Sequence, residues 1–89
     1  MKLLVLYQPK SEHARMVEEY LDDFRRVYPD IEIEVLDAES KEGVAKCLVY
    51  DILEYPALLV IGTDNSLQNM WLGKMLPQKQ EVVAYVISW

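Results

Sequence analysis

The sequence predicts an α/β domain, a four-stranded mixed sheet flanked by three helices in the order β-α-β-α-β-β-α. Three observations predict it. Residues 3–7 and Ala57–Ile61 are uninterrupted apolar runs of strand length, as expected of strands covered on both faces. Apolar residues recur at helical spacing between them, at Met16, Val17, Tyr20, Leu21, Phe24 and Val27. A long helical segment separates the first two strands, which makes them parallel, whereas a short turn separates the last two, which makes them an antiparallel hairpin.

The elements follow in chain order. The first strand, 3–7, is bounded by Pro9, and Ser11 is placed to cap the first helix through its hydroxyl. That helix carries Glu18, Glu19, Asp22, Asp23, Arg25 and Arg26 on its polar face and stops at Pro29. Residues 31–35 alternate strictly, which predicts a strand with one wet face near a sheet edge, Glu32 and Glu34 protecting that edge. A right-handed crossover joins it to the first strand. After a turn at 37–41 comes a second, shorter helix with Val44, Cys47, Leu48 and Ile52 inward. Ala57–Ile61 is the third strand, 62–66 the turn and Leu67–Leu72 the fourth strand. Gly73 follows, then Pro77 near the first turn of a last helix whose buried side is expected to hold Val82, Val83, Tyr85, Val86 and Trp89.

Size and composition set the bounds. The 89 residues make one domain, 1–89, which on folding buries only about 60–65% of the surface its unfolded chain exposes. An apolar fraction of 52% favours a folded globule, and no linker, repeat or low-complexity tract interrupts it. The net charge of −6 argues against nucleic acid, whose phosphates call for clustered Lys and Arg. The apolar runs are too short to span a bilayer, and Gln8, Lys10 and Glu12 end the first one too early for a signal peptide. A single cysteine permits no internal disulfide, so the expected location is cytoplasmic.

From Tyr50 the chain resembles thioredoxins. That family carries Tyr-Gly-Ile, three residues, Pro, an apolar strand, a turn, a second strand and a Gly before the last helix. Tyr50, Ile52, Pro56, Leu58, Leu59 and Gly73 match it, with the hairpin about one residue longer. Element order extends the resemblance over nearly the whole chain. It implies a cis peptide at Tyr55–Pro56, facing the start of the first helix, with nearby backbone groups able to pair with an extended peptide. The family's two redox cysteines fall on Glu12 and Arg15 when the first strands are aligned, and a shift of a residue or two brings in Lys10, Ser11, His13 or Ala14. None of these attacks a disulfide, so thiol exchange does not carry over.

The candidate site is therefore Lys10, Ser11, Glu12 and His13 facing Tyr55 and Pro56. A helix N-terminus there can hold a carboxylate or phosphate. The plainer reading is a solvated turn, with Ser11 only a cap and His13 only a surface side chain. Cys47 reads as a small buried hydrophobe, and Tyr7 as structural. No cofactor is expected. No metal is expected either, since one His and one Cys far apart do not make a ligand set. Trp71 either packs under the last helix or, if exposed with Tyr85 or Trp89, marks a partner surface.

The functional expectation is a noncatalytic accessory module that binds a protein or peptide, without nucleic acid or membrane, its oligomeric state open. One alternative is a divergent thiol–disulfide or glutathione-dependent oxidoreductase using Cys47 or a partner's thiol. Another is a regulatory docking module resembling KaiB, a family that also has a thioredoxin-like relation and lacks the cysteine pair.

Overall fold

Residues 2–73 and 75–87 are described by the computed structural model, the side chains of 86 and 87 excepted. The elements run β1 (Lys2–Tyr7), α1 (Ala14–Val27), β2 (Glu32–Asp37), α2 (Lys41–Val49), β3 (Ala57–Ile61), β4 (Leu67–Leu72) and α3 (Lys79–Ile87). They form one mixed sheet of order β2-β1-β3-β4. β1 and β2 are parallel, Leu3 beside Ile33 and Tyr7 beside Asp37. β3 is antiparallel to both β1 and β4.

The two central strands are apolar without alternation because both of their faces are covered. Leu3, Val5, Leu58 and Val60 join Val17, Leu21 and Phe24 of α1 and Val82 of α3 in one core. Leu4, Leu6, Leu59 and Ile61 join Cys47 and Ile52 in a second core on the other face. Trp71 packs against the first core and meets Tyr85 edge-on, ring centroids 5.7 Å apart, while Met70 packs against the second. The hairpin register slips between Val60 and Ile61, a bulge that takes up the extra residue, and Gly62 N–H closes the turn on Ser66 C=O at 2.8 Å.

Several expectations are corrected. Ser11 does not cap α1. The helix starts later, with His13 at the N-cap and no side-chain cap bond, and the Ser11 hydroxyl donates instead to Gln8 C=O at 2.6 Å. The helix of residues 14–27 turns Val27 outward, leaving it about half exposed. β2 begins at Glu32 and reaches Asp37, so the turn before α2 is shorter than expected. Its second face is only partly wet, since Glu34 pairs with Lys2 and Leu36 packs on the second core.

The largest correction concerns α2. Gly43 and Cys47 face the sheet, while Val44 is 46% exposed and Leu48 78% exposed. Ser40 caps this helix, accepting from Gly43 N–H at 3.0 Å. A Cβ at Gly43 would collide with Asp37 C=O and lie 3.0 Å from Ala38 Cα, so the helix seats on the end of β2 through the one residue without a side chain. In α3, Val82 is buried and Val83 partly so, but Tyr85 is exposed on one side of its contact with Trp71. The burial expected of Val86 and Trp89 lies outside the described side chains. No described helix is long and apolar enough to cross a membrane.

Candidate functional site at the β1–β3 end of the sheet

Leu6 of β1 lies opposite Ala57 of β3. The turn leaving β1 and the segment entering β3 therefore flank the same end of the sheet. This register brings Lys10, Ser11, Glu12 and His13 to the end where Tyr55 and Pro56 lie.

The first part is a closed turn. Ser11 N–H donates to Gln8 C=O at 3.0 Å, and Ala14 N–H to Ser11 C=O at 3.3 Å. His13 is not a surface side chain. It is 8% exposed, and its Nε2 accepts from Gln8 N–H at 3.2 Å. A ring nitrogen that accepts carries no proton, so this bond belongs to the neutral imidazole. The Tyr7 ring stands 6.4 Å away. The Tyr7 hydroxyl donates to Glu18 Oε2 at 2.9 Å, tying β1 to α1, and burial followed by that bond pushes the phenol above its ordinary range. Lys10 and Glu12 are exposed, as is Arg15, which pairs with Glu19 at 3.0 Å.

The second part enters from α2. Asp51 takes a φ of 57° just beyond the helix, and Ile52 N–H returns to Cys47 C=O at 2.8 Å. Leu53 is then 87% exposed, and Glu54 is exposed beside it. The Tyr55 hydroxyl donates to Cys47 Sγ at 3.2 Å. That bond, more than burial, raises the Tyr55 phenol. The Tyr55–Pro56 peptide is cis, Pro56 is buried, and its carbonyl accepts Gly73 N–H at 2.9 Å. Among the described residues no backbone hydrogen bond engages the N–H or C=O of Tyr55.

A cleft of about 300 Å³ opens on the other side of Lys10, lined by Pro9, Lys10, Asp37, Glu39 and Ser40. Sequence reasoning missed the last three, although the parallel pairing of β1 with β2 places the turns after both strands side by side. Asp37 Oδ1 accepts Glu39 N–H at 2.8 Å and its carbonyl accepts the Ser40 hydroxyl at 2.7 Å, so this wall is held by its own hydrogen bonds. A larger cleft, about 400 Å³, lies where α3 starts against α1, beside the Asp23–Lys79 pair at 2.6 Å. Among the described residues, no three His, Cys, Asp or Glu side chains group as a metal site would require.

No protein-family model matches the sequence, and none of the curated proteins compared with it matches. Solved structures do. Thioredoxin 1 of Thermosipho africanus superposes with a TM-score of 0.71 at 15% identity, over 99% of this chain and 92% of that one. Mitochondrial thioredoxin 3 of Saccharomyces cerevisiae gives 0.72 at 15% identity, over 98% and 76%. Desulfothioredoxin of Desulfovibrio vulgaris Hildenborough gives 0.70 at 19% identity, over 99% and 80%. The fold is thioredoxin-like. Cys47 is the only cysteine, so the chain has no CxxC motif.

Proposed function

We propose that this thioredoxin-fold chain is a noncatalytic binding module that holds an extended peptide or protein segment against Tyr55, between the exposed Leu53–Glu54 pair and the turn carrying Lys10 and Glu12. The observation that carries the reading is the state of the Tyr55 backbone. Its N–H and C=O lack a backbone partner among the described residues, whereas the neighbouring Pro56 carbonyl is already taken by Gly73. An edge of this kind accepts a strand, whose main chain supplies affinity and whose alternate side chains supply selectivity. Leu53, exposed beside it, offers an apolar contact for one of those side chains. The lone thiol supports a binding role over thiol exchange, because Cys47 is buried under Tyr55 and has no second cysteine to resolve a mixed disulfide.

The test uses peptides selected from a random displayed library against the immobilised full chain. The expected result is that a selected peptide shifts the amide resonances of Leu53, Glu54 and Tyr55 together with those of the Lys10–Glu12 turn. It should also slow the exchange of the Tyr55 amide hydrogen. Binding that leaves Tyr55 exchange unchanged, or shifts confined to another face, overturns the reading.

A further inference from the structure

Helix α2 is apolar on its outside as well as its inside. Gly43 and Cys47 face the core, yet Val44, Ala45, Leu48 and Val49 are all exposed, Leu48 and Val49 by more than two-thirds. A cluster of exposed apolar side chains of this kind marks a contact surface. We propose that the outer face of α2 is a two-fold homodimer interface, two copies packing α2 against α2 in antiparallel fashion, separately from the Tyr55 site.

Charge argues for a second copy as the occupant. The chain carries −6 overall, but its dense acidic run, Glu18, Glu19, Asp22 and Asp23, lies on α1, which packs on the opposite face of the sheet. The α2 face is mixed in sign, with Lys41, Glu42 and Lys46 on the helix and Asp51 just beyond it. Lys41, Val44 and Leu48 stand at i, i+3 and i+7, one stripe of the helix surface. In an antiparallel two-fold contact centred on this stripe, Val44 of one copy meets Leu48 of the other, and Lys41, in the first turn of one helix, comes to the C-terminal end of the other, just beyond which Asp51 lies. Both Lys41 and Asp51 are exposed, and neither has an ion-pair partner among the described residues. A strongly acidic or basic partner finds no matching field here, whereas a copy of the same surface does. Four apolar side chains on one nine-residue helix fall short of the roughly 20–30 residues a side of a standard interface, so the dimer is expected to be weak and concentration-dependent.

Sedimentation equilibrium of the full chain from about 1 µM to about 1 mM spans the range of weak association. The expected mass rises toward twice that of the monomer. Leu48→Glu should hold the chain monomeric throughout with an unchanged far-ultraviolet circular dichroism spectrum, since Leu48 is largely outside the core. Val27→Glu, a charge placed on exposed apolar surface of α1, should leave dimerisation intact. Lys41→Glu should weaken it several-fold at low salt. A wild-type chain that stays monomeric overturns the proposal, as does a dimer that Val27→Glu dissociates and Leu48→Glu does not. A dimer indifferent to Lys41→Glu overturns the antiparallel register.

Discussion

The Tyr55 hydroxyl donates to Cys47 Sγ at 3.2 Å, so the residue before Pro56 sits over the chain's single thiol. Cys47 is buried, and thiol reagents reach such a sulfur only when the structure opens. Alkylation near neutral pH should therefore run at least about 10-fold slower in the native protein than in denaturant. Tyr55→Phe, which removes the hydroxyl, should speed native labelling. Rapid native labelling together with disulfide reductase turnover would contradict the binding role proposed above.

Gly43 is where α2 rests on the end of β2. A Cβ there meets the backbone of Asp37 and Ala38, which has little freedom to move aside. Gly43→Ala should therefore destabilise the fold despite its better helix propensity, by about 1–3 kcal/mol as overpacked sites do. Urea denaturation reads the difference. A stabilised Gly43→Ala would mean that α2 does not seat as described.

Gly73 combines a φ of 92° with the Glu54 carboxylate, whose Oε2 would lie 2.5 Å from an added Cβ. The carboxylate is a flexible, exposed end and can swing away, but the backbone angle cannot be relieved so easily. Gly73→Ala should cost about 1–2 kcal/mol, the usual penalty of left-handed backbone for a residue with a Cβ. Adding Glu54→Ala should recover only a minor part of that loss. Full recovery would assign the cost to the side chain instead.

Tyr20 ties the two helices of the first core together. Its hydroxyl donates to Pro77 C=O at 2.8 Å, with Lys79 Nζ 5.3 Å from the ring centre. Burial, with a smaller contribution from Glu81, pushes the phenol from 10.0 up to about 12. The unfolded chain thus loses this proton near pH 10 and the folded chain only near pH 12. Between the two, the unfolded state binds fewer protons, so stability falls as pH rises, and the contribution is intact below pH 10. Denaturation curves from about pH 9 to about pH 11.5 should show a steeper loss for wild type than for Tyr20→Phe. At neutral pH Tyr20→Phe should itself cost about 0.5–1.5 kcal/mol for the lost hydrogen bond.

Element order and the pairing of β1 with β2 and of β3 with β4 were legible in the residues because they follow from local patterns, whereas the β1–β3 pairing that joins the two halves was not. A five-residue apolar run such as Ala57–Ile61 has to be covered on both faces, and a helix between β1 and β2 has to return the chain in parallel. The α1 stripe of Val17, Leu21 and Phe24 is narrow, so periodicity alone oriented that helix correctly. On α2 the stripe of Val44, Cys47, Leu48 and Ile52 pointed to the wrong rotation. With Val44, Cys47, Leu48 and Val49 spread around nine residues, several rotations bury similar apolar surface. Close approach to Asp37 and Ala38 chose the rotation that turns Gly43 inward, and that contact exists only after β2 has paired with β1. His13 was equally unreadable, because one histidine in a polar turn has no period. Its burial, and its acceptance of the Gln8 N–H, come from the path of the turn above Tyr7. Spacing along the chain specifies which segments extend or coil, since that choice is made between near neighbours. Which side chains end up covered at α2 and at the β1–β3 end was settled by contacts between segments far apart in sequence, which no local pattern encodes.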